Sequence, residues 1–413
     1  MKQNIHGAGL GLRSPHFHEI VKNKPNVPWF EILADNYLGN SLNINSIFYN
    51  NLSNVISNYP VTLHCVGMSL GSSNGINKDY LEKLNKLIDF TNPVYISDHL
   101  SWGNIGGINS HELLPLPYTD ESLQVIINNI KDTQDFLGRQ ILVENVSSYI
   151  SYKYSNIQEW DFINIVAHES GCKILLDINN IYVNSINHKF DPDLYIKNIN
   201  KDNVKYFHLA GHEEYSENKN YLIDTHGSDI NKPVWELFSK AVKFIGSKPC
   251  LLERDNNIPG FTELNEERMK IDIILENFGD WVYFIIRIYL FAAFFYSGYT
   301  KIIDMNTAII LFEYEYNVPF LNSTFAAYLG AFTELVIPWF ILCGLFTRIT
   351  SLILFVFNAT ALYSYPFLWT DNGIAGFYQH FCWGVSLSLL MTYGAKRLSI
   401  DYFLFNDHKN KFN

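Results

Sequence analysis

KILLDINN (173–180) decides the reading of this chain: a near-continuous apolar run that closes on polar residues able to bind a metal, Asp177 and Asn180. Runs of this length and apolarity read as strands covered on both faces, as in a parallel sheet. The same plan recurs in VTLHCV (61–66) with His64, VYISDHL (94–100) with Asp98 and His99, and ILVENV (141–146) with Glu144. It appears again in KYFHLAG (205–211) with His208 and CLLERD (250–255) with Glu253. In a parallel barrel all strands point one way, so polar residues placed late in each converge on one rim. Imidazoles and carboxylates are costly to bury unpaired, so such a convergence implies a metal, a substrate or both.

Two further runs, GAGLGLR (7–13) and WFEIL (29–33), bring the strands to eight. Between strands lie helix-like stretches such as NKDYLEKLNKLIDF (77–90), ESLQVIINNIKDTQDFL (121–137) and VWELFSKAVKFI (234–245). The alternation predicts an α/β TIM barrel of (β/α)8 type over residues 1–278, closed by the helix NEERMKIDIILENF (265–278). GAGLGLR lacks the spacing and following helix of a dinucleotide-binding loop; close packing of the first strand explains its glycines more simply.

Beyond Trp281 the composition changes from ordinary soluble material to aromatic and aliphatic residues with little charge. Residues 279–413 are therefore expected to form an all-α four-helix transmembrane bundle, with spans near 281–300, 324–346, 349–369 and 374–394, each about the 20 residues a bilayer requires. Arg287, Glu334 and His380 fall inside these spans and are expected to face the bundle interior. Arg348 between the second and third spans, with Lys396 and Arg397 after the fourth, places both termini and the barrel on the cytoplasmic side of the inner membrane; Lys301 points the other way. The opening MKQNIHGAGLGLRSPHFHEI has no apolar core of a secretory signal. Five scattered cysteines argue against a disulfide framework, and a net charge of −11 without a basic block argues against a nucleic-acid partner.

The motifs GAGLGLR, WFEILADNY, LHCVGMSLG, SDHLSW, LLPLPYT, VENVSSY, LLDINNIYVNSINH, FHLAGH, DTHG and LLERDNN, in this order, resemble the multinuclear non-haem iron-dependent oxygenase family, which includes methanobactin-biosynthesis enzymes. The resemblance covers about residues 5–275. It implies two or three iron ions in a mixed-valent Fe(II)/Fe(III) state, with dioxygen as co-substrate, acting on cysteines of a ribosomally made precursor peptide. It further implies a separate partner protein that recognises the leader peptide. Carried over residue by residue, it assigns metal ligation to His64, His99, Glu144, Asp177, Asn180, His208, Asp224, His226 and Glu253, with His64, His99, Glu144 and Asp177 as the catalytic set.

Glu31, Asn36, His188 and His212 are secondary candidates for orienting ligands or substrate. Cys65, next to His64, is turned to the opposite face by strand alternation and reads as a small packed residue. The C-terminal part resembles the DoxX-like membrane proteins through Arg287, Gly298, Lys301, ELVIPWFILCGLFTR (334–348) and GAKRLSIDYFL (394–404). The two resemblances together point to copper or metal homeostasis. A metal-dependent hydrolase or isomerase on the same barrel, and a non-enzymatic membrane metal sensor, are the alternative readings.

Overall fold

The computed structural model describes residues 4–39, 47–105, 108–215, 221–396 and 398–409. The chain divides into two compact units, Met1–Leu275 and Glu276–Asn413. Arg397, used above to orient the spans, lies outside the described residues.

The first unit is a closed barrel of eight parallel strands: β1 (Ala8–Gly11), β2 (Phe30–Leu33), β3 (Val61–His64), β4 (Ile96–His99), β5 (Leu142–Glu144), β6 (Lys173–Asp177), β7 (Val204–Leu209) and β8 (Cys250–Leu252). They are the eight runs read from sequence, arranged around the barrel in chain order. Register brings His99 beside Glu144 and Asp177 beside His208.

Strand alternation explains how the interior is filled. Trp29, Leu142, Leu175, Tyr206 and Leu251 pack with Ile5 in a cluster separate from the main core between sheet and helices. Each stands two residues before a polar one: Glu31, Glu144, Asp177, His208 and Glu253. A spacing of two keeps both on one face, so each polar residue lies one layer nearer the rim than its apolar partner. Trp29 also accounts for the first glycine motif, because a Cβ on Gly9 would lie 2.4 Å from its Cε2.

Two features differ from the sequence reading. Strand ends at Asp177 within KILLDINN, because Asp177 caps the helix Ile178–His188 by accepting from Asn180 N at 2.7 Å, so Asn180 is helical. After β4 the chain forms an antiparallel hairpin, Ser101–Ile105 with Ile108–Pro115, where no strands were expected.

Asn184, on that same helix, anchors the loop after β5 by accepting from Ser148 N at 2.7 Å and donating to Val146 O at 2.8 Å. Its amide also donates to Glu159, whose carboxyl is pushed up by burial to about 7 despite hydrogen bonds from Tyr195, Tyr118 and Asn184. A folded-state value above the unfolded one means stability is full below about pH 4.5 and is lost as pH rises through 7. Glu159→Gln is therefore expected to leave the melting temperature unchanged near pH 4 and raise it by roughly 2–4 °C near pH 8, measured by circular dichroism.

In the second unit the apolar stretches are helical: the end of Phe261–Ile303, then Ser323–Cys343, Thr347–Ser364 and Ile374–Tyr393. Asp280–Ile303 and Ser323–Cys343 are long and apolar enough to cross a membrane by length and composition. Among the described residues the third and fourth do not reach that mark, with Arg348 and Asn358 in the third and Gln379 and His380 in the fourth lowering the hydropathy. The stretch after the first span, read as a loop, contains the helix Met305–Tyr314, capped by Asp304 accepting from Thr307 N at 3.0 Å.

Arg287 is buried and donates to the carbonyls of Ile341, Leu342, Ala395 and Leu398. The first two belong to the last turn of Ser323–Cys343, where a cation offsets the helix dipole. Gly298 permits close helix packing, since its Cβ would lie 2.8 Å from Glu334 Cβ.

Candidate metal centre

The last residues of β3, β4, β5 and β6 are His64, His99, Glu144 and Asp177; His208 is the penultimate residue of β7, and Glu253 immediately follows β8. Their side chains meet in the barrel mouth in overlapping groups able to hold a metal ion: His64, His99 and Glu144; Glu144, Asp177 and His208; Asp177, His226 and Glu253; and Glu31, His208 and Glu253. Glu144 joins the first two. Its Oε2 lies 3.4 Å from His64 Nε2 and 3.7 Å from His99 Nε2, and its Oε1 lies 3.4 Å from His208 Nδ1. Glu253 Oε2 lies 3.1 Å from His208 Nδ1 and 3.6 Å from His226 Nδ1.

These close approaches are not all hydrogen bonds. Glu144 Oε2, Asp177 Oδ2, Asn180 Oδ1, His99 Nδ1, both nitrogens of His208 and His226 Nε2 are buried without a hydrogen-bond partner. Each such atom costs about 1–3 kcal/mol when left unpaired, so this concentration of them favours a cation. Two atoms bound to one ion at about 2.1 Å are themselves separated by roughly 3.0–3.5 Å, a range that holds three of the five spacings above, with the other two at 3.6 and 3.7 Å.

Electrostatics agree with that reading. Burial alone would raise the Glu144 carboxyl, but the charges of His208, His99 and His64 outweigh it and hold the group at about 2. Burial would lower His99, yet Glu144, Asp98 and Glu253 raise it to about 9. Asp177 goes the other way, pushed well up by burial and then by Glu144 and Asp224. Glu144 and the imidazoles around it stabilise one another's charged forms.

Asp224 and His226 come from the DTHG loop. His226 has a left-handed backbone, φ 49°, uncommon outside glycine, and its N–H donates to Gly211 O at 3.1 Å. Its Nε2 lies 2.8 Å from Asp224 Oδ1. Behind them runs a chain of hydrogen bonds: Asn179 Nδ2 donates to Asp224 at 2.7 Å, and His212 Nδ1 donates to Asn179 Oδ1 at 2.8 Å. His212 is thus linked to the site through Asn179.

The other secondary candidates separate. Glu31 Oε1 lies 3.0 Å from His208 Nε2, while its Oε2 accepts from Tyr206 OH at 2.8 Å and Thr62 Oγ1 at 2.9 Å. Asn36 is exposed on the short turn Ala34–Tyr37. His188 bonds to Ser148 Oγ at 2.7 Å at the far end of its helix. Cys65 is fully buried, its thiol pushed well up by burial and then by Asp98, and the groups able to hold a metal include no cysteine among the described residues.

Several residues that shape the site were not singled out from sequence. Ser97 Oγ meets His64 Nδ1 at 2.8 Å and Tyr206 OH at 3.2 Å, tying β3, β4 and β7 together beneath the cluster. Asn145 accepts from Asp177 N at 2.9 Å and donates to Asp177 O at 2.9 Å. Arg13 pairs with Asp255 and lies 3.6 Å from Glu253. The signal for three of them was present: Thr62, Ser97 and Tyr206 each precede a candidate histidine by two residues and so share its inward face. A bond to the far nitrogen of a ligating imidazole fixes its tautomer and direction. Ser97→Ala is therefore expected to weaken metal binding by about 10–100-fold with the barrel intact, as measured by competition with a chromophoric chelator.

Residues 7–276 match the family described as RiPP precursor modification enzyme MbnB/TglH/ChrH, and residues 282–366 match DoxX. A UPF0276 protein of Acaryochloris marina is 42% identical over 271 residues, covering 66% of this chain and 95% of that protein. One of Rhizorhabdus wittichii is 41% identical, covering 63% and 91% respectively, and one of Caulobacter vibrioides is 40% identical, covering 64% and 92%. The C-terminal unit, as a DoxX domain, makes the chain membrane-associated.

Proposed function

This chain belongs to the family of RiPP precursor modification enzymes MbnB/TglH/ChrH, and from that premise we propose that it is a membrane-tethered, iron- and dioxygen-dependent oxidoreductase that converts cysteines of a ribosomally made precursor peptide into heterocycles. The observation that carries the reading is Glu144, a buried carboxylate whose two oxygens face three imidazoles and which two candidate metal groups share. Glu144 would help hold metal with His64 and His99 on one side and with Asp177 and His208 on the other.

In this reading His64, His99, Glu144, Asp177, Asn180, His208, Asp224, His226 and Glu253 hold two or three irons. Imidazole, carboxylate and amide donors suit non-haem iron. The bound metal supplies dioxygen activation and electron transfer. The protein's own residues supply direction and charge. Ser97 holds the far side of His64 by a hydrogen bond, and the Glu31 carboxylate faces His208 Nε2 at 3.0 Å. Asp177 spends one oxygen on the helix cap and keeps the other for the site. Arg13 balances the carboxylates of Glu253 and Asp255 at the rim.

The DoxX unit tethers the barrel at the cytoplasmic face of the inner membrane, and a separate partner protein delivers the precursor by its leader. The setting is copper or metal homeostasis. A His/Asp/Glu cluster also suits two-metal hydrolysis or sugar isomerisation, and a chain that binds metal without turnover would be a sensor; dioxygen consumption separates these readings.

The test is mass spectrometry of the precursor peptide after co-expression with the full chain and the partner protein under air, beside the His99→Ala variant. A mass loss equal to the hydrogens removed on heterocycle formation, absent in the variant, is expected. An unchanged peptide mass with a metal-loaded barrel overturns the oxidoreductase reading.

A further inference from the structure

The two segments that carry His226 and Glu253 are fastened to each other. Asn256 Nδ2 donates to Thr225 O at 2.7 Å, Asp255 N to His226 O at 3.0 Å and Asn257 Nδ2 to Gly227 O at 3.2 Å. Three consecutive carbonyls of the DTHG loop are thus held by the turn after β8, and the two segments form one piece.

Glu267, on the helix Phe261–Ile303, anchors that piece at two points. Its Oε1 accepts from Ile230 N at 2.8 Å, and its Oε2 accepts from Arg254 Nη2 at 3.1 Å. Both side chains are buried, and Arg254 Nη2 also donates to Asp229 Oδ1 at 2.6 Å. The backbone of Arg254 follows Glu253, while its guanidinium reaches the residue before Ile230, so the ion pair ties both segments to the helix. Taking one partner from a buried ion pair strands the other charge. Without Glu267 the guanidinium would keep Asp229, whose side chain is exposed.

Other ligands are held differently. His64, His99 and Glu144 are the last residues of β3, β4 and β5, and the strand ladder fixes their backbones. Among the described residues, Asp177–His226–Glu253 is the group able to hold a metal that draws two of its three members from the joined segments.

We infer that Glu267 and Arg254 are positioning residues for the Asp177–His226–Glu253 group, acting through the backbone of the two segments from which His226 and Glu253 reach the site. The inference rests on the reading that the barrel mouth holds metal and is independent of the reaction. Arg268, the next residue on the helix, supplies the comparison. It too is buried, but it serves β1, donating to Ala8 O at 3.0 Å and to Asp272 Oδ2 at 2.7 Å.

The experiment titrates the metal-free full chain, in lipid nanodiscs, with Co(II), whose visible absorption reports each binding step, and follows backbone hydrogen exchange by mass spectrometry. Glu267→Ala is expected to weaken one Co(II) step by about tenfold, the lower end of the range for groups that orient ligands, to leave the other steps unchanged and to speed exchange across residues 224–230. Glu267→Gln, which keeps an acceptor for Ile230 N but not the charge facing Arg254, should shift the same step by less. Arg268→Ala should leave every step as in the native chain. Native affinity at every step in both Glu267 variants, a loss shared by all steps, or an equal loss in Arg268→Ala overturns the inference while the metal reading stands. A native chain that takes up no Co(II) overturns both.

Discussion

Glu144→Ala is expected to strip the barrel of nearly all its metal and to reduce peptide modification by at least about 100-fold, beyond the loss typical of residues that only orient ligands. Among the described residues, no other side chain belongs to both the His64–His99 group and the Asp177–His208 group. Removing it takes a facing carboxylate from His64, His99 and His208 at once, leaving His99 with Asp98 and His208 with Glu31 and Glu253. Metal analysis of the purified chain and mass spectrometry of the co-expressed peptide measure the two effects. Circular dichroism guards against the trivial explanation of an unfolded barrel. Native metal content in a folded Glu144→Ala protein would refute the shared-carboxylate arrangement, whatever the reaction.

Gly211→Ala is expected to lower metal content nearly as far as His226→Ala does, although Gly211 carries no ligand atom. A Cβ there would lie 2.2 Å from Ser228 O, 2.5 Å from Asp229 O and 2.6 Å from Ser228 Oγ. Backbone oxygens cannot rotate away as a flexible side chain would, so the segment Ser228–Asp229 must shift. That segment follows the DTHG loop directly, and His226 N is held by Gly211 O at 3.1 Å. The displacement therefore reaches Asp224 and His226. Overpacking of this kind costs roughly 1–3 kcal/mol, so the barrel should still fold and the damage should appear as lost metal and lower modification. Full metal occupancy in the Gly211→Ala chain would show that the loop tolerates the shift and that His226 is not held by this contact.

Much of this is legible in the sequence. The eight strands and the rim positions of His64, His99, Glu144 and Asp177 follow from apolar runs that end in polar residues, because a parallel barrel has one carboxyl-terminal end. The Trp29–Glu31, Leu142–Glu144, Leu175–Asp177, Tyr206–His208 and Leu251–Glu253 spacings even encode the interior layers, since a strand repeats every two residues. Asn180 was placed at the end of a strand run because composition does not reveal that Asp177 turns to cap a helix. The hairpin after β4 was missed because its strands, Ser101–Ile105 and Ile108–Pro115, are short and irregular, with a register shift between Trp102 and Asn104. His188 and His212 looked alike in sequence, yet one bonds to a loop serine and the other reaches the cluster through Asn179.

The sequence by itself determined the barrel, its polar rim and the apolar character of the C-terminal helices, because these depend on local periodicity and composition. Only the tertiary structure decided that Glu144 serves two groups, that Ser97 and Glu31 stand behind imidazoles, and that a strained loop brings His226 beside Glu253. Those relations join residues far apart in the chain, such as Glu31 and Tyr206. Their geometry is set by barrel closure and by steric contacts such as the one at Gly211, which no local pattern records.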